Sequence, residues 1–201
     1  EDQMKVGRKL ATKLLNVSKF VLGIGDVDGS VAPTNALDRA MLARLADVVD
    51  DATRAFESFD YARALERTES FFWWFCDDYV ELVKTRGYGD DAGAASARCA
   101  LRRALGALQR LLAPHIPFST DEVWSWWHDS SIHASTWPTR SELLTGSDPV
   151  DRHDERLDAL CATIGIIRRT KTESKVSQRA QVAHVAVSAN KSQIDVIVES
   201  L

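Results

Sequence analysis

Apolar residues recur at helical spacing through the first 128 residues, and nothing else in this chain limits its fold as strongly. Leu37, Met41, Leu45, Val48, Ala52, Ala55 and Phe59 form a seam that steps by fours and threes. At about 100° per residue such a seam runs down one face of a helix. Its length suits antiparallel bundle packing.

The same period defines the neighbouring elements. Leu10, Leu14, Val17 and Val21 line a first helix, which the loop "GIGDVDGSVAPT" (23–34) breaks with Gly23, Gly25, Gly29 and Pro33. Asp60 is placed to cap a third helix carrying Leu65, Phe72, Phe75, Tyr79 and Leu82 and ending near "RGYGD" (86–90). A fourth, from about residue 94 to 112, holds Leu101, Leu105, Leu108 and Leu112 inside and is stopped by Pro114 and Pro117. Ser119 and Glu122 match a capping box that opens a short helix through "VWSWW".

Residues 128–150 read as a connecting loop, and a last long helix over about 152–170 presents Leu157, Leu160, Ile164 and Ile167. "QVAHVAVSA" (181–189) alternates like a strand, with Ala183, Val185 and Val187 on one side, before "KSQIDVIVESL" returns to helical spacing. The expected fold is therefore mainly α: an antiparallel helical bundle over 1–150. Residues 151–201 then add the long helix and a small α/β appendage.

Bulk numbers exclude several classes. With 201 residues, 45% hydrophobic and 27% charged, the chain reads as an ordinary soluble globular protein that can bury its own core. No run of about 18 apolar residues is present, so no membrane span is expected. The opening "EDQMKVGRKL" has no signal-peptide character and no initiator methionine, which suggests a piece of a longer protein. Cys76, Cys99 and Cys161, odd in number and far apart, fit reduced thiols in a cytoplasmic protein better than disulfides or a zinc site.

The net charge of −4 conceals local asymmetry. Between Asp2 and Asp26 there is no acidic residue, yet Lys5, Arg8, Lys9, Lys13 and Lys19 all fall there. Residues 92–120 also lack acids and carry Arg98, Arg102, Arg103 and Arg110. A third basic cluster comprises Arg168, Arg169, Lys171, Lys175 and Arg179. Acids gather instead in 47–60 and 77–91. Local basic patches matter more to a polyanion than the summed charge does.

On the first helix, Lys5, Lys9, Lys13, Asn16 and Phe20 project into one arc roughly 80° wide, away from the Leu10–Val21 seam. Lysines attract phosphates and an exposed ring offers a platform for an unstacked base. The pattern also fits a solvated lysine face with Phe20 buried by a neighbour at the helix end. The residues alone favour that plainer reading.

Other motifs carry less. "DDYVE" (77–81) resembles the magnesium-binding acids of helical terpenoid enzymes, but Asp50-Asp51 and Asp90-Asp91 lack the closing acid, and a salt-bridged helix face fits better. His128 and His133 beside Asp129 have no cysteine to join them, so no metal is expected. "DVDGS" (26–30) fails as a calcium loop because Val31 and Leu37 stand at the glycine and closing-glutamate positions. "GIGDVDG" does not match the dinucleotide fingerprint. Asn16-Val-Ser18 and Asn190-Lys-Ser192 are chance glycosylation triplets. The six tryptophans read mostly as core, with Trp74 and Trp127 as candidates for lining a groove.

Several segments taken in order resemble one family, the anticodon-binding region of the valine–tRNA ligases, which are class I aminoacyl-tRNA synthetases. They are "RKLATKLLNVSKFVLG" (8–23), "FFWWFCDDYVELVKTRGYG" (71–89), "LQRLLAPHIPFSTDEVWSWW" (108–127), "SIHASTWP" (131–138) and "IIRRTKTESKVSQRAQV" (166–182). The resemblance implies a bundle that cradles the anticodon stem-loop and a small α/β segment leading to a C-terminal arm. It also implies a full enzyme that activates valine with ATP and magnesium and charges tRNA. The family's His-Ile-Gly-His-like and Lys-Met-Ser-Lys-Ser-like segments do not occur here, and "ESKVS" (173–177) is a superficial echo. By itself this stretch is expected to bind RNA, hold no cofactor and catalyse nothing.

The resemblance further implies anticodon contact at Lys13 and Phe20, and at an apolar residue whose nearest match is Leu82. With it, the RNA-contact reading of the lysine stripe overtakes the plainer one. Arg8, Lys9, Asn16 and Lys19 are expected to join the tRNA surface, and Lys5, Arg98, Arg102 and Arg103 to contact phosphates. Asp78 stands where many relatives carry tryptophan, so no aromatic contact is expected from it. Expected partners are valine tRNA and the rest of the synthetase chain, with neither DNA nor membrane, in a monomer. Sister isoleucine, leucine or methionine enzymes share the bundle. A helical protein-interaction module without RNA binding is the alternative from another class.

Overall fold

A computed structural model describes residues 2–27, 32–144, 155–178, 180–184, 186 and 188. The expected mainly-α bundle is what forms. Its elements are α1 (Asp2–Gly23), α2 (Ala36–Glu57), α3 (Tyr61–Trp74), a π-helical segment (Phe75–Tyr79) and α4 (Val80–Gly87). They continue with α5 (Ala92–Leu112), α6 (Pro117–Trp124), a 3₁₀ turn (Ile132–Ala134), α7 (Arg140–Leu143) and α8 (Glu155–Glu173).

α2, α3 and α5 begin where a side chain can accept from an orphan backbone N–H. Asn35 caps α2 through Leu37 N–H, Asp60 caps α3 through Arg63 N–H, and Asp91 caps α5 through Ala94 N–H. α6 starts differently. Pro117 occupies its first turn and Ile116 precedes it without a side-chain cap, so Ser119 lies inside the helix and the expected Ser119–Glu122 capping box is not made. A proline needs no such partner, because its missing N–H is one of the orphans. The capping box in this chain is Thr139–Glu142, where Thr139 N–H donates to Glu142 Oε1 at 2.9 Å.

α2 ends two residues before its apolar seam does. Phe59 N–H donates to Phe56 O at 3.0 Å and Asp60 N–H to Ala55 O at 2.8 Å, which is a Schellman closure. Phe59 takes the left-handed position with φ 60° and is 78% exposed, so it leaves the core that its spacing had assigned it. Along the same helix Val49, not Val48, is the buried valine. The tight reversal lays α3 back along α2.

Leu10, Leu14, Val17 and Val21 of α1, Met41 and Leu45 of α2, Phe72, Phe75 and Tyr79, and Leu101, Leu105, Leu108 and Leu112 of α5 share one core. Leu65 and Leu82 stay half-buried at its margin. Leu157 and Cys161 of α8 enter the same core, packing against the π segment, α2 and α4.

A polar knot crosses the bundle interior. The fully buried Asp38 accepts from Tyr79 Oη at 2.7 Å, from Ser96 Oγ at 2.6 Å and from both terminal nitrogens of Arg86 at 2.5 and 2.8 Å. Ser96 Oγ in turn accepts the backbone N–H groups of Thr34 and Asn35, each at 3.0 Å. The knot therefore joins α2, the π segment, α4 and α5 to the entry of α2. Burial first, then the Asp38 charge, hold the Tyr79 phenol well above its ordinary pKa, so it stays a donor.

The stretch expected as a loop after residue 128 is a strap. Ser131 Oγ and Ile132 N–H donate to Asp121 Oδ1, and Trp137 Nε1 donates to Thr53 Oγ1 at 2.9 Å. Arg140 pairs with Asp50 and Asp47, so the acidic run of α2 holds this strap. No strand forms among the described residues of 181–189, and the expected helical stretch 191–201 lies outside the described residues. Among the described residues no helix is long and apolar enough to cross a membrane.

Candidate nucleic-acid interface

α1 buries its leucine–valine seam and turns its cations outward. Lys5, Arg8, Lys9, Thr12, Asn16 and Lys19 are exposed, while Lys13 and Phe20 are half-buried. A shallow groove of about 460 Å³ runs beside the helix, lined by Lys5, Arg8, Lys9, Thr12, Lys13 and Asn16 on one side and Trp73 of α3 on the other. Among the described residues no carboxylate lines it.

Lys13 is the hinge of this surface. Its Nζ lies 2.6 Å from Asp77 Oδ1 and 5.8 Å from the centre of the Trp73 ring. The Asp77 carbonyl accepts from Arg168 of α8, so one π-segment residue gathers the basic ends of two helices. Within "DDYVE" the ion pair is made by Asp77, and no metal-holding cluster occurs among the described residues. Burial, with Asp77 beside it, lifts Asp78 above the ordinary carboxylate pKa, and Arg168 partly offsets this.

Phe20 is not the open platform that its place in the lysine arc suggests. Its ring packs partly on the core and meets Tyr88 edge-to-face at 6.2 Å, with Lys84 Nζ 5.8 Å from its centre. Partial burial at the helix end is what the plainer reading of the stripe anticipates for this ring. One part of Phe20 still faces out beside Tyr88, which is 61% exposed. Leu82 sits half-buried on α4, two residues from Lys84.

The remaining sequence candidates lie elsewhere. Lys19 turns toward α6, its Nζ 6.0 Å from the Trp126 ring. Arg98 is drawn inward, where its Nε donates to Gly87 O at 2.9 Å and its Nη2 to Gly89 O, holding the α4–α5 corner. Arg102 donates to Gly25 O at 3.2 Å, tying down the chain after α1. Arg102 and Arg103 line a second cavity of about 460 Å³ with Trp124, Trp127 and His128, apart from the α1 groove.

Three aromatic residues stand differently from what the sequence suggests. Trp73, not Trp74, lines the α1 groove; Trp74 packs on the core beneath Arg44, and Trp127 lines the second cavity. The signal was present. Glu69, Trp73 and Asp77 are spaced by fours, opposite the buried Phe72–Phe75–Tyr79 side, and Trp73 Nε1 donates to Glu69 Oε1 at 3.1 Å. Tyr88 carried no periodic signal, because it closes α4 at a turn.

Comparison with known proteins bears on this surface. The model of the family described as "Anticodon-binding domain of tRNA ligase" matches residues 38–187. The valine–tRNA ligase of Thermobifida fusca is 48% identical over 197 residues, which is 96% of this chain and 22% of that protein. That of Salinispora arenicola is 48% identical over 212 residues, 96% of this chain and 24% of that protein. That of Cutibacterium acnes is 47% identical over 196 residues, again 96% of this chain and 22% of that protein. The chain thus spans less than a quarter of the length of these relatives. On this evidence the chain belongs to the family of tRNA-ligase anticodon-binding domains.

Proposed function

We propose that this chain is the anticodon-recognition part of a valine–tRNA ligase. One observation carries the reading: on a single face of α1, four cations lie beside two aromatic positions, Trp73 and the Phe20–Tyr88 pair. Cations gathered along a groove neutralise RNA phosphates and supply most of the affinity. Rings and side-chain amides contact unstacked loop bases and supply the selectivity.

In this reading Lys13 and Phe20 contact the anticodon, with Leu82 beside them. Lys5, Arg8, Lys9 and Asn16 hold the adjacent strand. Lys19, Arg98, Arg102 and Arg103 act at most on phosphates at the edge of the footprint. Valine specificity is supported by the named relatives, all valine–tRNA ligases. The complete enzyme activates valine with ATP and magnesium in the cytoplasm, as a monomer. The present stretch supplies tRNA binding without a catalytic step. Residues 1–150 act as the RNA-binding bundle and 151–201 as the junction to a further arm.

The test is titration of this chain with valine tRNA and an anticodon-swapped version at two salt concentrations, repeated with Lys13→Ala and Phe20→Ala. Preference for the native anticodon, steep loss with salt, and roughly tenfold weakening by Phe20→Ala are expected. Anticodon-blind binding that neither substitution alters would reduce the surface to a phosphate contact. Salt-insensitive capture of a protein partner would favour the interaction module.

A further inference from the structure

Resting on that reading, we infer that Trp73 is a second base-stacking platform, and that the groove between Trp73 and α1 holds one unstacked nucleotide of the tRNA anticodon loop. The groove volume of about 460 Å³ falls within the ~300–1,000 Å³ typical of clefts that enclose a small ligand. Its lining has the three chemistries that a nucleotide requires. Lys5, Arg8 and Lys9 face a phosphate. Thr12, whose hydroxyl proton is donated to Arg8 O at 2.8 Å, keeps an acceptor oxygen for a base edge, and Asn16 adds an amide. The Trp73 ring offers an apolar face.

The ring is held in place before any ligand arrives. Its Nε1–H is engaged by Glu69 at 3.1 Å and its neighbour Phe72 meets it edge-on at 6.1 Å. A platform with a fixed plane costs little entropy on binding. Lys13, 5.8 Å from the ring centre, gives this site its link to the Phe20 end. Lys13, which marks the Trp73 site on α1, lies seven positions before Phe20, about 10 Å along the helix. That span is about three base steps of ~3.4 Å, so the two platforms serve different bases of one loop. Exposed aromatics elsewhere, such as Phe118 at 89% and Phe59 at 78%, have no comparable cationic lining in any described cavity.

The experiment uses the whole chain and a synthetic stem-loop RNA bearing the valine anticodon, with binding read at low salt. Variants are Trp73→Ala, Trp73→Phe, Phe20→Ala and Lys13→Ala, each checked by thermal melting. A set of stem-loops with one loop base removed at a time accompanies them. Trp73→Ala is expected to weaken binding about tenfold, and Trp73→Phe to recover most of that loss. One abasic position should abolish the Trp73→Ala effect, and a different one the Phe20→Ala effect. Trp73→Ala that melts and binds like the unaltered chain, while Phe20→Ala or Lys13→Ala weakens binding, overturns the Trp73 platform and leaves anticodon recognition standing. Trp73→Phe as weak as Trp73→Ala, with the same abasic dependence as Phe20→Ala, also overturns it. No RNA binding by the unaltered chain overturns both.

Discussion

Lys13 Nζ lies 2.6 Å from Asp77 Oδ1, so the central cation of the α1 surface is already paired in the free protein. The side chains are 31% and 45% exposed, which places the pair among partly solvated ion pairs worth about 0–1 kcal/mol. A weak pair is easily exchanged. An incoming RNA group therefore competes with Asp77 for Lys13, and the aspartate penalises ligands that cannot repay the exchange.

Asp77→Asn tests this. Melting should change by less than about 1 kcal/mol of stability, because the pair is solvated and the backbone acceptor for Arg168 remains. Affinity for valine stem-loop RNA should rise several-fold, with a smaller preference over an anticodon-swapped loop. Unchanged affinity in Asp77→Asn, alongside weakened binding in Lys13→Ala, would mean that Lys13 acts without leaving Asp77.

The Asp38 knot makes a larger claim on stability. Asp38→Asn removes the charge facing Arg86 in a site where Asp38 is fully buried. Breaking a buried pair from one side should cost about 3 kcal/mol, and Tyr79→Phe about 1–2 kcal/mol. Urea unfolding of both variants, compared with the double variant, checks this. Losses in the double variant well short of the sum are expected, because both residues serve one network.

Phe59 occupies a left-handed position that glycine fills without strain. Phe59→Gly should leave the Schellman closure of α2 intact and stabilise the chain by about 1 kcal/mol. A rise in denaturation midpoint at unchanged slope is the expected result. A fall would show that the ring's contact with Tyr61, 6.4 Å away, outweighs the backbone strain.

Two histidines set the acid side of the stability profile. Burial holds His115 below the ordinary value of 6.5, and burial together with Arg110 does the same for His128. The Nε2 atoms of both are buried without a hydrogen-bond partner among the described residues, so protonation there would bury an unaccepted N–H. With the folded pKa below the unfolded one, the unfolded chain binds more protons once the pH drops under 6.5. Stability is thus intact above that value and declines as pH falls through it. Melting temperature should drop between about pH 7 and about pH 5.5, and less steeply in a His115→Gln/His128→Gln variant. Parallel profiles for the two proteins would assign the acid sensitivity to carboxylates.

Helices were legible from the chain wherever side chains repeat, as in α1 and α5, where Leu10, Leu14, Val17 and Val21, and Leu101, Leu105, Leu108 and Leu112, are buried as their spacing requires. Ends were less so. Phe59 continues the α2 seam by count, yet a backbone closure overrides it: the N–H groups of Phe59 and Asp60 pair with Phe56 O and Ala55 O, so the helix ends with these carbonyls satisfied. The strap over 128–144 was unreadable as structure because its order comes from distant partners, Asp47, Asp50 and Thr53, rather than from its own period.

The candidate surface divides in the same way. The sequence by itself determined that α1 presents cations opposite a leucine–valine seam, because a 3.6-residue period assigns every side chain of one helix to a face. It also carried enough ordered similarity to assign the family. Which rings and acids oppose those cations was decided only by tertiary structure. The π segment adds a residue to its turn and changes the phase between α3 and α4. Trp73 of α3 and Asp77 of the π segment then meet the side chain of Lys13, which no period within α1 specifies. Phe20 is sheltered by Tyr88 from a turn 68 residues later in the chain, a neighbour that no local period could supply.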